Sequence, residues 1–335
     1  MANYTTIDDP SVYFQTALYT GNGNDDRAVT NDGNSNLQPD FLWFKTRSES
    51  GDHNLVDSVR GANKLYKSNA KDTEETVSNG VQSFTSDGFT VNSRQPMNKN
   101  NVTYACWQWK KTADAGFDIV LYTGNDTART ISHSLSAVPT MMLIKCRDVA
   151  KEWTVFTASQ GNGKFFELDG STAIQTATNR WNDTSPTSSV FTVGVDSSVN
   201  GDTQSYIAYL FADKQGFSKV GSAYSGNGND SGSFIYTGFS VGWLMIKRVA
   251  GSTGAWLMVD SKREPFNSGA SANELGANEP NGENDLAGDF KIDLLSNGFK
   301  LRDDLGDANA GAEYIYMAFA DSPFVTSGGV PTTAR

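Results

Sequence analysis

The sequence has very little of the residues on which most metal sites and active sites depend. Its 335 residues include two cysteines and two histidines. Cys106 and Cys146 each stand alone in an apolar run. Neither a disulfide framework nor a Cys-x-x-Cys zinc site is therefore predicted. We expect two buried free thiols that behave as small apolar side chains.

Long apolar runs and an excess of positive charge are also absent. No run approaches the ~18 residues that a membrane-spanning helix needs. Residues 1–10 lack the basic start and apolar centre of a signal peptide. The formal net charge is −11, opposite in sign to a general nucleic-acid-binding surface. We therefore expect a soluble protein made in a cytoplasm, without nucleic-acid partner or membrane insertion.

The clearest positive signal is one aromatic strand that occurs three times. Each copy begins with tyrosine and carries a large aromatic residue five positions later. The copies are Tyr104-Ala-Cys-Trp-Gln-Trp109, Tyr206-Ile-Ala-Tyr-Leu-Phe211 and Tyr314-Ile-Tyr-Met-Ala-Phe319. Self-similarity at a fixed period of about 100 residues predicts one structural unit repeated three times, each closed by this strand.

Other segments recur in the same order. An opening strand that starts at Phe14 leads into a Gly-Asn turn, and the turn returns after Tyr122 and Tyr224. A buried second strand follows, at 39–45, 139–145 and 241–247, and a third lies at 54–58, 153–157 and 256–260. The second strands end in Lys45, Lys145 and Lys247. We interpret these lysines as the points where the strands emerge into water.

Each unit then has a polar middle section before it returns to the closing strand. These sections, at about 61–80, 170–186 and 262–288, differ most in length, so we look for binding there. Asp87-Gly88 and Asn297-Gly298 predict return hairpins in the first and third units; the middle unit has a different turn. Helix signals are weak, with short candidates near 57–65 and 270–275.

These patterns predict an all-β protein of three tandem antiparallel β-sandwich-like repeats. The expected boundaries are an arm at 1–13, repeats at 14–113, 114–215 and 216–324, and a tail at 325–335. The linkers at 111–116 and 213–216 are short, so we expect the repeats to pack side by side around a pseudo-threefold axis.

Candidate chemistry is sparse, and we predict no enzyme, cofactor or metal site. His53 and His133 have serine and aspartate neighbours but no Gly-x-Ser-x-Gly elbow. The acid pairs Asp25/Asp26, Glu74/Glu75 and Asp303/Asp304 lie in polar turns, where an ordinary pKa makes a poor general acid. Residues 281–285 are the best Ca²⁺ candidate, although they lack EF-hand spacing.

The tryptophans divide into core residues and one exception. Those within apolar strands are expected to be core: Trp107, Trp109, Trp153, Trp243 and Trp256. Trp181 has polar neighbours on both sides, so it is the weak candidate for a surface residue that binds ligand.

Together the motifs resemble a repeated domain of tailed-phage virion proteins, of the type found in marine and cyanobacterial phages. The resemblance spans about Phe14 to Phe324. It rests on five stretches of the first unit and two of the later units: Leu18-Tyr-Thr-Gly-Asn-Gly23, Pro39-Asp-Phe-Leu-Trp-Phe-Lys45, Asp57-Ser-Val-Arg-Gly61, Phe84-Thr-Ser-Asp-Gly-Phe-Thr-Val91, Tyr104-Ala-Cys-Trp-Gln-Trp-Lys110, Trp181-Asn-Asp-Thr-Ser-Pro-Thr-Ser-Ser-Val-Phe191 and Tyr314-Ile-Tyr-Met-Ala-Phe-Ala-Asp-Ser-Pro-Phe324.

The resemblance implies a structural protein of the virion, usually a tail fibre or tail protein, with no assigned catalytic residues. Three functions follow as hypotheses: a receptor-binding tail component, a capsid or tail decoration protein without a host ligand, and a depolymerase of surface glycans. The expected partners are other virion proteins and a host surface glycan or protein. A homotrimer is the default for fibres, whereas an internal threefold lets a monomer occupy a threefold axis.

Overall fold

The computed structural model describes residues 4–267, 272–283 and 290–332. Strands make up 41% of the chain and helices 5%, so the all-β prediction is confirmed. None of the helices in these ranges is long and apolar enough to cross a membrane.

The strands fall into three sets that we call units 1, 2 and 3. Unit 1 contains β1 (Phe14–Thr20), β2 (Arg27–Thr30), β3 (Phe41–Thr46), β4 (Asn54–Asp57), β5 (Lys64–Tyr66), β6 (Glu75–Thr76), β7 (Val81–Thr85), β8 (Gly88–Val91) and β9 (Thr103–Trp109). Unit 2 contains β10 (Phe117–Thr123), β11 (Arg129–Ser132), β12 (Met141–Cys146), β13 (Thr154–Thr157), β14 (Lys164–Glu167), β15 (Gln175–Thr176), β16 (Val190–Val193) and β17 (Ser205–Phe211). Unit 3 contains β18 (Ser218–Ser225), β19 (Phe234–Tyr236), β20 (Phe239–Arg248), β21 (Trp256–Asp260), β22 (Leu275–Gly276), β23 (Ile292–Leu295), β24 (Gly298–Leu301) and β25 (Glu313–Pro323).

Among the described residues, helices are limited to single turns. They are a 3₁₀ turn (Pro10–Val12), α1 (Gln95–Asn98), α2 (Thr178–Trp181) and α3 (Ser197–Asn200). The helix predicted near 57–65 is wrong, because this segment forms the end of β4, a turn and the start of β5. The candidate at 270–275 lies partly outside the described residues, and the described part includes the start of β22.

Each unit has a large and a small antiparallel sheet. The large sheets run β1-β9-β3-β4-β5-β6, β10-β17-β12-β13-β14-β15 and β18-β25-β20-β21-β22. In all three, the opening strand lies at the edge and the closing strand pairs with both the opening and the second strand. The small sheets are β2-β8-β7, β11-β16 and β19-β24-β23. The Asp-Gly and Asn-Gly hairpins are confirmed as β7–β8 and β23–β24.

The closing strand separates two cores because its side chains alternate between the faces of the sheet. In β9, Trp107 and Trp109 belong to a core with members from all three units, whereas Cys106 belongs to a core inside unit 1. Cys146 belongs to the corresponding core of unit 2. Both thiols are buried and free, as predicted, and burial raises the pKa of Cys106. The large sheets therefore meet at a common centre, and the small sheets lie on the outside.

The starting tyrosine of each closing strand is structural. Tyr104 stacks on Tyr19 with ring centres 5.2 Å apart and donates its hydroxyl hydrogen to the Gln95 carbonyl. Tyr206 and Tyr314 stack on Tyr122 and Tyr224 in the same way. The Gly-Asn turn beside the first pair is fixed by a buried asparagine: Asn98 Oδ1 accepts the amide hydrogen of Asn22 at 2.9 Å.

The arm at the start of the chain packs on unit 3. Thr5 Oγ1 donates to the Gln215 carbonyl at 2.8 Å, and Ile7 is buried in the shared core. Phe14, where β1 begins, stacks on Phe319 of β25 with ring centres 5.2 Å apart. The start of unit 1 and the end of unit 3 are therefore in contact.

Candidate functional site

The three strand-end lysines do not emerge into water. Lys45, Lys145 and Lys247 are each 0% exposed, so the sequence interpretation of these residues is wrong. Each lysine pairs with the residue that follows the tyrosine of its closing strand, which shows that their positions are equivalent. The reason for their burial is that each ammonium group reaches across to the neighbouring unit.

The acceptors of these lysines form a cyclic pattern. Lys45 Nζ of unit 1 donates to the Pro280 carbonyl of unit 3 at 3.0 Å. Lys145 Nζ donates to the Lys71 carbonyl of unit 1 at 2.9 Å, and Lys247 Nζ to the Ser171 carbonyl of unit 2 at 2.9 Å. The contacts therefore run from unit 1 to 3, from 2 to 1 and from 3 to 2, which closes the units into a ring.

Burial lowers the pKa of two of these lysines. Desolvation lowers the pKa of Lys145 to about 8, and it does the same for Lys247. A charged ammonium group is therefore less favourable at these positions than it is in water. Carbonyl oxygens of the same unit, from Gly51, Lys151 and Gly254, complete the lysine contacts.

A second cyclic set of bonds comes from ring nitrogens of residues at the start of the third strand or one position before it. Trp153 Nε1 donates to the Lys67 carbonyl at 2.8 Å, and Trp256 Nε1 to the Glu167 carbonyl at 2.9 Å. In unit 1 the equivalent residue is His53, whose Nε2 lies 2.8 Å from the Gly276 carbonyl. His53 thus takes the place of a tryptophan at the contact between units 1 and 3.

His53 is neutral and has both ring nitrogens in use. Its Nδ1 accepts a hydrogen from Trp43 Nε1 at 2.8 Å, so its Nε2 carries the hydrogen donated to Gly276. Burial, together with the positive charge of Lys45, lowers its pKa well below the ordinary value. The structure therefore assigns His53 a role in joining units.

Two of the three unit contacts also hold a buried charge network. Tyr209 donates its hydroxyl hydrogen to Asp57 Oδ2 at 2.7 Å, and Arg60 Nε contacts the same oxygen at 2.5 Å. Trp107 Nε1 donates to Asp260 Oδ2 at 3.0 Å, and Arg263 Nε contacts that oxygen at 2.6 Å. Each network thus joins the closing strand of one unit to the third strand of the next.

A glutamate extends each network. Glu74 accepts two hydrogen bonds from Arg147, at 2.9 and 3.0 Å. Burial opposes ionisation of Glu74, but the hydrogen bond from Arg147 and the charge of Arg60 outweigh it and lower its pKa. Glu283 occupies the same place in unit 3, where it accepts from Arg47 at 2.6 Å and Arg263 at 3.2 Å.

The contact from unit 3 to unit 2 keeps the backbone geometry but lacks the aspartate, arginine and glutamate of this network. The Ile174 amide donates to the Val249 carbonyl at 2.8 Å, as the Glu74 amide does to the Arg147 carbonyl at 3.0 Å. An apolar pair thus replaces the glutamate and arginine. The other positions of the network change with it: Met317 replaces the tyrosine or tryptophan, Thr157 the aspartate and Gln160 the buried arginine.

The middle sections take part in these contacts. Lys67, Lys71 and Glu74 lie within 61–80, so this section is partly an interface with unit 2. Ser171 and Ile174 have the same role in the section of unit 2. The sequence placed binding in these sections. The structure shows that backbone carbonyl and amide groups of these sections form hydrogen bonds between the units.

The remaining candidates for catalysis are bound to backbone groups or are partly exposed. His133 Nε2 lies 3.1 Å from the Thr187 carbonyl, and its Nδ1 accepts the Leu135 amide hydrogen at 3.3 Å. Burial lowers the pKa of His133.

Asp25, from one of the acid pairs, accepts from the backbone amide of Ser93 at 2.8 Å. Burial raises the pKa of Asp303, which accepts from the amides of Lys291 and Leu305.

The Ca²⁺ candidate is only partly described. Residues 284 and 285 lie outside the described residues, and Glu283 is paired with two arginines. In the part of the chain that the structure describes, no group of three His, Cys, Asp or Glu side chains is arranged to hold a metal ion.

Trp181 is buried, with 1% of its surface exposed, so the expectation of a surface role is wrong. Its Nε1 donates to the Lys164 carbonyl at 2.9 Å, and its ring packs edge-on against Phe156. Its polar surroundings mislead because α2 also buries Arg180, which pairs with Glu152 at 2.6 Å. The five tryptophans predicted to be core are buried.

Clefts lie beside the opening strands, on the outside of the ring. The unit 2 cleft, of about 300 Å³, is lined by residues that include Asp118, Ser132 and His133. The unit 3 cleft, of about 310 Å³, is lined by residues that include Lys219, Tyr236 and Tyr4. A third cleft, of about 190 Å³, lies between units 1 and 3. The walls of the unit 3 cleft and of the cleft between units 1 and 3 come from segments far apart in the chain, so sequence reasoning could not find them.

Comparison with known proteins places the sequence in one family. No curated protein matches the chain. The model of a family described as a domain of unknown function, DUF7483, matches residues 9–323. This match covers all three units, from the arm before β1 to the last residue of β25, and the chain therefore belongs to the DUF7483 family.

Proposed function

We propose that this chain is a non-enzymatic structural protein of a tailed-phage virion, associated with the tail, that contacts the host surface through loops on a rigid β scaffold. The motif resemblance supports this role. The observation that carries it is the cyclic set of buried lysine, tryptophan and histidine contacts. These contacts use the polar residues at repeated positions to join the units.

The physical argument concerns rigidity. A buried ammonium group or indole N–H donates to a carbonyl of the neighbouring unit. Breaking such a bond leaves a buried donor or acceptor without a partner, which costs about 1–3 kcal/mol of stability. Two cyclic sets of such bonds, one from the lysines and one from the ring nitrogens, hold the sheets in one arrangement. A particle component that bears mechanical load and presents loops in fixed positions needs such a body.

A decoration protein of the capsid or tail is the second candidate. The cyclic order of the contacts favours it, because a chain with internal pseudo-threefold order matches a threefold position of a particle lattice. The two candidates share the non-enzymatic, particle-bound role and differ in location.

Cryo-electron microscopy of the intact particle tests both. A position at the tail tip or tail periphery supports the receptor-contact role. A regular lattice over the head, with no exposed face toward the host, supports decoration and contradicts the first proposal. Absence of the chain from purified particles contradicts both.

A further inference from the structure

The outer face of the small sheet of unit 3 carries two exposed aromatic side chains. Phe234 is 48% exposed and Tyr236 is 53% exposed. They lie two residues apart on β19 and therefore project from the same face, whereas Ile235 between them is buried. Large apolar side chains exposed side by side are more informative than single exposed ones, because contiguous apolar surface marks interaction sites.

The fold does not require these aromatics. In all three units the small sheet has a buried phenylalanine at an equivalent position: Phe89, Phe191 and Phe299. The residues paired with it are Val29, Ile131 and Ile235. The neighbours of Val29 are Ala28 and Thr30, and those of Ile131 are Thr130 and Ser132. Units 1 and 2 thus have small residues at the two positions where unit 3 has Phe234 and Tyr236.

A polar cleft adjoins the aromatic pair. Tyr236 forms part of its lining together with Tyr4, Asp213, Gln215 and Lys219. The hydroxyl of Tyr4 donates to the Gly238 carbonyl at 2.6 Å and lies 3.2 Å from the Tyr236 hydroxyl. The arm of the chain therefore holds the ring of Tyr236 in place.

Gly238 allows this arrangement. Its φ of +88° favours glycine, and a Cβ at this position would lie 2.7 Å from the Tyr4 hydroxyl. The cleft wall is thus fixed before any ligand arrives, which lowers the entropy lost on binding.

Unit 2 provides an internal comparison. Its cleft has nearly the same volume and lies in the same place, because Asp118 and Lys219 occupy equivalent positions of β10 and β18. It has Ser132 where unit 3 has Tyr236. Of these two clefts, the unit 3 cleft is the one that combines polar groups with an aromatic wall.

We propose that Phe234, Tyr236 and the adjoining cleft form a saccharide-binding subsite, a proposal that rests on the host-contact function above. The flat rings provide apolar surface for the C–H face of a sugar. Tyr4, Gln215, Lys219 and Asp213 provide donors and acceptors for its hydroxyl groups.

The size of the patch favours a sugar over a protein partner. Two half-exposed rings offer on the order of 200 Å², whereas a stable protein interface buries about 800 Å² on each partner. A ring-sized ligand is matched to this area and to the cleft beside it.

The test uses the full chain and an array of purified bacterial surface polysaccharides and oligosaccharides. The best-bound glycan is then titrated calorimetrically against the wild type and the double variant Phe234→Thr/Tyr236→Ser, which installs the residues of unit 2. The matched control is Thr130→Ala/Ser132→Thr, which installs the residues of unit 1 in unit 2. Thermal unfolding of each variant checks the fold.

We expect the unit 3 variant to bind the glycan at least about tenfold more weakly, and the control to bind as the wild type does. Binding that is unchanged in the unit 3 variant, or no binding to any glycan, overturns the subsite. A dimer by sedimentation that is lost in the unit 3 variant overturns it in favour of a contact between copies. A chain found on the tail of the particle that binds no glycan refutes this inference alone, whereas absence from the particle refutes the proposed function.

Discussion

Trp107 of unit 1 donates its indole hydrogen to Asp260 of unit 3 across a distance of 3.0 Å. Tyr209 of unit 2 makes the equivalent bond to Asp57 of unit 1 at 2.7 Å. Unit 3 has Met317 at this position, which has no hydrogen to donate, and the aspartate position of unit 2 is Thr157. Met317 and Thr157 thus replace donor and acceptor together, although they are 160 positions apart in the chain.

The first prediction concerns this bond. Tyr209→Phe removes the hydroxyl and leaves Asp57 buried with one partner fewer, so we expect unfolding to become easier by about 1–3 kcal/mol. Urea unfolding followed by tryptophan fluorescence measures the change. Tyr236→Phe is the control, because it removes only an exposed contact with the Tyr4 hydroxyl, and its effect should stay within about 0.5 kcal/mol. Equal effects of the two variants would contradict the assignment.

The second prediction concerns the size match around His53. Trp43 donates to His53 in unit 1, and the equivalent positions of unit 2 hold Leu143 and Trp153, so the large and small residues exchange places. His53→Trp alone should overpack the interface and destabilise the fold by about 1–3 kcal/mol. Adding Trp43→Leu should recover most of this loss. A double variant no more stable than His53→Trp would show that the pair is not coupled.

The third prediction is a pH dependence at low pH. The pKa of His53 is lowered in the folded state, so the unfolded chain binds more protons below its ordinary pKa of 6.5. Stability from neutral His53 is therefore present above pH 6.5 and decreases as the pH falls below it. We expect His53→Gln, which keeps a donor and an acceptor, to reduce the fall in melting temperature between pH 7 and about pH 5. An unchanged slope would contradict a buried neutral histidine.

The fourth prediction uses Lys145. Its pKa of about 8 when folded lies below the ordinary value of 10.5, so the unfolded chain binds more protons between these values. The contribution of Lys145 to stability should therefore rise with pH across this window. Lys145→Met removes the titration, so the difference in unfolding free energy between wild type and variant should grow from pH 8 to pH 10. A constant difference would indicate a lysine exposed to water.

The fifth prediction exchanges one contact for another. Glu74→Ile leaves Arg147 without its carboxylate partner and should cost about 2–3 kcal/mol. Adding Arg147→Val reproduces the Ile174–Val249 pair of the other contact and should recover more than half of that cost. Urea titrations at low and high salt measure both effects, and the double variant should depend less on salt. No recovery in the double variant would mean that the interfaces are not equivalent.

The strands at the centre of the fold could be predicted from the sequence, whereas the contacts between units could not be predicted from local pattern. β1, β4 and β9 lie where the repeated motifs placed them, within two residues. The short strand β2 was missed because its four residues carry little periodic signal. The acceptor of Lys45 in the neighbouring unit is the Pro280 carbonyl, far along the chain, so local pattern could only suggest that the lysine was near water.

The sequences of the three copies also contain a signal of contact between the units. Three lysines at one position, and the joint replacement of Tyr209, Asp57 and Arg60 by Met317, Thr157 and Gln160, indicate a contact between copies. Trp181 shows the opposite case. Its polar neighbours predicted exposure, but Arg180 is buried by its pairing with Glu152, so polarity of sequence was a poor guide to burial.

Hydrogen exchange measured by mass spectrometry at increasing urea tests most directly whether the three units form one closed body. If the lysine, tryptophan and histidine contacts join them as described, the slow amides of β9, β17 and β25 should lose protection at one common urea concentration, and Lys145→Met should shift all three together. Three separate midpoints, or a shift confined to unit 2, would contradict the closed arrangement.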